Sequence, residues 1–236
     1  MNQPTLRELL DAGVHFGHKT SRWSPKMASY IFTSRAGVHV VNLEKTAEKL
    51  AEATNFLERE AAAGKTFIFV GTKKQSGDIV KEAAISCNMP YVNTRWLGGT
   101  LTNFEMVRSS IKAYKHKKDE LENPKTELSK SELSKVRQAV ERGEKFLGGL
   151  VGLERKPDAL ILFGSHDEKN AVKEATKTGV PIIALTDTNT DPTLVDYPIP
   201  ANDDATKSVK LFAELFAAVI NDAKQNKVVE EKKEDK

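Results

Sequence analysis

From residue 67 onward the chain carries short runs that are apolar at every position, separated by stretches of helical period. Phe67-Ile68-Phe69-Val70 is followed at once by Gly71, and Asp158-Ala159-Leu160-Ile161-Leu162-Phe163 by Gly164. Pro181-Ile182-Ile183-Ala184-Leu185 and the short Tyr197-Pro198-Ile199 follow. Between and after them lie helical patterns: Ile79, Val80, Ala83, Ala84 and Cys87; a segment ending near Gly179; and Val209, Leu211, Phe212, Leu215, Phe216, Val219 and Ile220. A strand with no polar alternation is buried on both faces, which predicts a parallel sheet between helices in an α/β sandwich. Thr72-Lys73-Lys74-Gln75 and Ser165-His166-Asp167-Glu168 read as capping boxes opening the helices after the first two strands.

Upstream, Thr5-Leu6-Arg7-Glu8 is a capping box for a short helix, and His15 to Met27 reads as a loop. Tyr30-Ile31-Phe32 and Val38-His39-Val40-Val41 flank Arg35-Ala36-Gly37 as a hairpin. Asn42 is placed to cap a long helix that ends at Gly64. Residues 101–150 interrupt the α/β pattern. Phe104, Val107, Ile111, Tyr114, Lys118 and Leu121 are spaced 3, 4, 3, 4, 3, and Leu133, Val136, Val140, Gly143, Leu147 and Leu150 repeat that spacing. Two heptad stretches around a turn at 123–126 predict an antiparallel helical hairpin projecting from the core, with Lys118 and Gly143 as weak points in its seam. The expected organisation is an α/β core at 1–100 and 151–224, the hairpin at 101–150, and a disordered tail at 225–236, where Lys and Glu alternate without apolar periodicity.

The 236 residues contain enough apolar side chains, 39%, to exclude a disordered chain. A single cysteine excludes a disulfide framework and fits a reducing compartment. No apolar run has the length of a bilayer span and the first residues do not read as a secretory signal, so the expected location is the cytoplasm, with no membrane partner. The net charge of +3 says little, but its distribution is uneven. Residues 108–156 hold thirteen basic against eight acidic side chains, whereas 187–206 hold five aspartates and no basic residue. That asymmetry fits either a polyanion partner on one side of the fold or scattered solvated lysines.

Enzyme chemistry finds little support. Gly71-Thr72-Lys73-Lys74-Gln75-Ser76-Gly77 lacks the spacing and the Lys-Ser/Thr pair of a P-loop and the three glycines of a dinucleotide fingerprint. A helix start bearing Lys73 and Lys74 either holds a phosphate, including one of a nucleic-acid backbone, or is simply solvated. His15 and His18, with the late aspartates, offer a metal site against the plainer reading of loop packing, which we adopt. Cys87 reads as a small core residue, and no Gly-x-Ser-x-Gly elbow exposes a nucleophile. The expectation is no catalytic residue, no cofactor, no metal and no small-molecule substrate. The rival is an enzyme using the crevice at the carboxyl ends of the strands.

Several blocks carry a resemblance: Leu9-Leu10-Asp11-Ala12-Gly13-Val14-His15-Phe16-Gly17-His18, Trp23-Ser24-Pro25-Lys26-Met27, Gly71-Thr72-Lys73-Lys74-Gln75, Arg95-Trp96-Leu97-Gly98-Gly99-Thr100-Leu101-Thr102-Asn103, Asp187-Thr188-Asn189-Thr190-Asp191-Pro192, and the stretch from Val195 to Ala205. They resemble the bacterial form of the family of small-subunit ribosomal protein two, in family order over nearly the whole chain. The resemblance implies a flavodoxin-like three-layer sandwich, with a five-stranded parallel sheet in the order 2-1-3-4-5 and an inserted antiparallel coiled-coil hairpin. It also implies a non-catalytic role on the small ribosomal subunit, contacting rRNA and other small-subunit proteins and helping to recruit small-subunit protein one. The RNA-contact candidates are His18, Lys19, Arg22, Trp23, Lys26, Lys73, Lys74, Gln75, Arg95, Trp96, Thr100, Asn103 and Arg108, with both tryptophans open to a packing role instead of stacking. Ser24 departs from the family's usual Asn, and Ala201 from a usual Gly, which implies that position 201 does not need a positive φ. Gly164-Ser165-His166 departs at a strand end where the family often has Asp.

Overall fold

The computed structural model describes residues 3–123 and 129–234. Helix α1 (Leu6–Asp11) starts on the expected box: the Glu8 amide donates to Thr5 Oγ1 at 3.3 Å, and the Thr5 amide donates to the Glu8 carboxylate at 2.7 Å. The segment expected to be loop instead holds a strand, β1 (Phe16–Lys19), and two 3-10 turns, Thr20–Arg22 and Pro25–Tyr30. The expected hairpin forms from β2 (Ile31–Arg35) and β3 (Val38–Val41), and β1 joins its other edge in the antiparallel order β1-β3-β2. Pattern alone misses β1 because its apolar Phe16 is 54% exposed and its interior position is a glycine. That glycine is required sterically. A Cβ on Gly17 would lie 2.6 Å from Thr188 Cγ2, so β1 sits on the Thr188 loop with no room for a side chain.

Asn42 caps α2 (Leu43–Ala62), accepting from the Glu44 and Lys45 amides at 2.9 and 3.3 Å. The main sheet then forms from β4 (Phe67–Val70), β5 (Tyr91–Val92), β6 (Ala159–Leu162), β7 (Ile182–Thr186) and β8 (Tyr197–Pro200). Its order is β5-β4-β6-β7-β8, and every pairing is parallel. The intervening helices are α3 (Gly77–Ser86), α4 (Phe104–Glu122), α5 (Lys130–Leu147), α6 (Lys169–Thr178) and, last, α7 (Thr206–Glu234).

Because successive strand side chains point to opposite faces, the apolar runs feed two cores. Phe67, Phe69, Ile161, Phe163, Ile183 and Leu185 pack with α1, α2, α3 and α7. Ile68, Val70, Leu160, Leu162, Ile182 and Ala184 pack with the start of α4, with α6 and with Leu150 and Leu153. Cys87 is buried as expected, and burial pushes its thiol up to about 11, which keeps it an unreactive thiol.

Neither box at the strand ends caps a helix. Helix α3 begins five residues after Thr72, and α6 begins after Glu168. Glu168 instead crosses the sheet and accepts from the Thr72 amide at 2.9 Å, so one loop's box residue serves the other loop. Ala201 is buried and is not among the positive-φ residues, as its identity implies.

The hairpin region also corrects the expectation. The start of α4 is not a projection: Phe104, Val107 and Ile111 are buried in the second core, so the core extends into 101–111. Farther along, Gly143 is not a defect in the seam. A Cβ there would overlap the Tyr114 ring, and the Tyr114 hydroxyl donates to Glu144, which also meets Lys118 Nζ at 3.3 Å. Residues 124–126 of the expected turn lie outside the described residues. Replacing Gly143 by alanine displaces that ring, costs about 1–3 kcal/mol and speeds amide exchange in α5, with little change in β4 or β6.

The disordered tail is a second correction. The backbone of α7 is helical through Glu234, because Lys and Glu are good helix formers and extend a helix already anchored by Phe212 and Phe216. No helix among the described residues is long and apolar enough to cross a membrane.

Candidate nucleic-acid interface

The carboxyl ends of β4, β6, β7 and β8 deliver four loops to one crevice, where the ordinary reading of an α/β sheet places a ligand. Here the chain's own charges meet there. Lys73 Nζ lies 2.6 Å from Asp203, 2.7 Å from Asp204 and 3.0 Å from Asp167. Its side chain is 14% exposed and that of Asp203 1%. Burial alone would lower the Lys73 pKa, but the carboxylates outweigh it and raise it. One ammonium cannot compensate three carboxylates. Burial therefore pushes Asp203 up to about 7 against the pull of Lys73, and its Oδ2 has no hydrogen-bond partner among the described residues.

His18 closes the same crevice from β1. Its Nδ1 lies 2.9 Å from Asp187 Oδ1 and its Nε2 3.5 Å from Asp204 Oδ2, while its amide donates to Thr188 Oγ1 at 2.8 Å. The hydrogen bond to Asp187 raises its pKa above the usual value despite partial burial. Gln75 Nε2 donates to Asp204 at 3.2 Å. Asp204 thus joins strand β1 to the β4–α3 loop. His15 takes no part: its ring packs on Phe16 and burial lowers its pKa. Among the described residues no three of His, Cys, Asp and Glu are grouped as metal ligands.

The remaining candidates divide by exposure. Lys19, Arg22, Lys74, Arg95 and Asn103 are exposed, and Gln75 keeps an exposed side chain beside Asp204. Lys26 is exposed too, though its ammonium reaches Asp191 at 2.6 Å. Trp23 is 39% exposed and lies 5.1 Å from the His39 ring, leaving part of the indole open. Arg108 pairs loosely with Glu105 at 3.4 Å on α4. Trp96 and Thr100 are corrections: both are buried, Trp96 packs in the second core, and Thr100 Oγ1 donates to Leu97 O at 2.6 Å, so neither presents a face to a partner. Lys73 is the third, because its ammonium is already committed to carboxylates.

Sequence reasoning missed Glu174 on α6. Its carboxylate accepts from Trp96 Nε1 at 3.1 Å and from the amides of Gly99, Leu101 and Thr102 at 2.7, 3.0 and 3.2 Å. Burial works against this charge, but the amides of Leu101, Gly99 and Thr102 and the Trp96 indole hold its pKa below the ordinary value. No local signal marks it, since its partners lie more than seventy residues upstream.

The chain is an α/β sandwich whose strand-end crevice is occupied by its own ion pairs, with exposed cations in the surrounding segments. A family model described as Ribosomal protein S2 matches residues 9–223. The chain belongs to the ribosomal protein S2 family, and so to the structural proteins of the small ribosomal subunit, which act in translation in the cytoplasm.

Proposed function

We propose that the chain binds small-subunit rRNA through phosphate contacts at Lys19, Arg22, Lys26, Lys74, Arg95 and Arg108, with Gln75 and Asn103 as polar contacts and Trp23 as a stacking surface. In the same role it contacts neighbouring small-subunit proteins and supports recruitment of protein one; the blocks shared with the family support that part. The observation that carries the RNA reading is the junction at Asp204. It holds the end of β1, which carries Lys19 and leads into the turn carrying Arg22, beside the loop carrying Lys74, so cations from distant parts of the sequence gather near one another. Counted within its own sheet, the strand order becomes 2-1-3-4-5, which supports a flavodoxin-like sandwich. The contact of Tyr114 with Gly143 and Glu144 supports an antiparallel coiled-coil hairpin.

The test is reassembly with small subunits lacking the chain, over a salt series. Lys74→Glu together with Arg22→Glu weakens incorporation and flattens the log–log salt dependence by roughly 0.7–0.9 for each phosphate left without its cation. Lys232→Glu with Lys233→Glu, in the charge-balanced end of the sequence, leaves it unchanged. Equal incorporation by both double variants at every salt concentration rejects the phosphate contacts.

A further inference from the structure

We propose that Glu174 is a positioning residue for the RNA-facing loop between β5 and α4, holding Arg95 and Asn103 in their presenting geometry; this rests on the rRNA reading above. The loop covers 93–103, has no strand partner, and contains the flexible pair Gly98-Gly99, the latter at φ +93°. Trp96 and Leu101 anchor it in the second core, and its backbone amides at 99, 101 and 102 are held by one side chain from another element. Glu174 Oε1 accepts from the Trp96 indole and the Gly99 amide. Its Oε2 accepts from the Leu101 and Thr102 amides and the Thr102 hydroxyl, the last at 3.2 Å. Five donors converge on one carboxylate, and charge-assisted bonds of this kind are the strong ones.

The placement of the exposed side chains makes this more than a structural brace. Arg95 immediately precedes the first clamped residue, Trp96, and Asn103 immediately follows the last, Thr102; both are exposed. Between them lie the buried Trp96, Thr100 and Leu101, of which Trp96 and Leu101 donate to Glu174 directly. The loop is therefore pinned on its inner side and offers its two polar ends outward. A glutamine at 174 keeps the shape but supplies one acceptor oxygen, and turns an amide donor toward backbone N–H groups.

The experiment is a double-mutant cycle on incorporation of the full chain into small subunits lacking it, with amide exchange and thermal unfolding of each variant alongside. Glu174→Gln speeds exchange at Gly99, Leu101 and Thr102 and weakens incorporation roughly tenfold. Arg95→Ala weakens incorporation severalfold in the native background and adds almost nothing in the Glu174→Gln background, because the loop no longer presents the guanidinium. Thr102→Val, which deletes one bond and no charge, moves both readouts the same way but less, and serves if Glu174→Gln does not fold. Fully additive losses from Glu174→Gln and Arg95→Ala overturn the positioning role while leaving the rRNA contact standing. No loss from Arg95→Ala and Asn103→Ala in the native background overturns the contact reading of this loop, and the positioning role with it.

Discussion

Replacing Lys73 by methionine lowers the stability of the protein by about 3 kcal/mol, because it strands Asp203 as a buried carboxylate without its cation. The loss sits at the low end of the range for broken buried pairs, since Asp203, at about 7, is already poised to take up a proton. Urea unfolding at neutral pH measures it, and Lys74→Met in the same assay changes stability by no more than about 0.5 kcal/mol. If both lysines behave alike, the ion cluster at the strand ends contributes nothing. The same cluster sets a pH dependence. Between its ordinary 3.8 and about 7, Asp203 binds a proton in the folded state and releases it in the unfolded one, so stability falls as pH rises through that window. His18, raised by Asp187, contributes stability below its ordinary 6.5 that is lost as pH rises through its folded value. Asp203→Asn therefore flattens the decline between about pH 4 and 7, and His18→Asn removes the part that begins near His18's ordinary 6.5.

Phe163→Ala has the largest expected effect in the core. The ring is fully enclosed, with the Phe69 and Phe216 centroids 6.0 and 6.1 Å away on two different elements. Truncation leaves a cavity between sheet and α7 and costs about 3–5 kcal/mol, a fall in Tm of roughly 10 °C for a chain of this size. Phe32→Ser, at a side chain 73% exposed, leaves the Tm within a degree or two. A Phe163→Ala protein that melts with the wild type would mean the first core does not run continuously from sheet to helix.

The central sheet was legible because its strands are apolar at consecutive positions, a signal that survives without tertiary knowledge. Tyr91-Val92 gave no such signal: two residues are too few for a pattern, and β5 exists because β4 offers its edge. The two capping boxes misled for the same reason. A Thr or Ser followed three residues later by Gln or Glu is a local signature, yet Glu168 found a better donor across the sheet at Thr72. At the interface, residue type identified the exposed cations, Lys19, Arg22, Lys74 and Arg95, since long charged side chains on loops stay in water. It could not separate Lys73 from Lys74, because that difference depends on Asp203, 130 positions away. Nor could it tell that Trp96 is a core residue held by Glu174.

The seating of β1 on the Thr188 loop has a consequence for the order in which the chain is made. The amide of His18 waits for a hydroxyl 170 positions later, and Asn202 reaches back to Val14 and Gly13. At ordinary synthesis rates the partner residues emerge about 10–30 s after the strand that needs them. The three-stranded sheet can close its own hairpin early, but it docks only once β7 and β8 have joined the growing sheet. A strand translated early thus waits for partners made late. Until then the glycine strand and its neighbouring aromatic residues stand open to whatever holds a nascent chain.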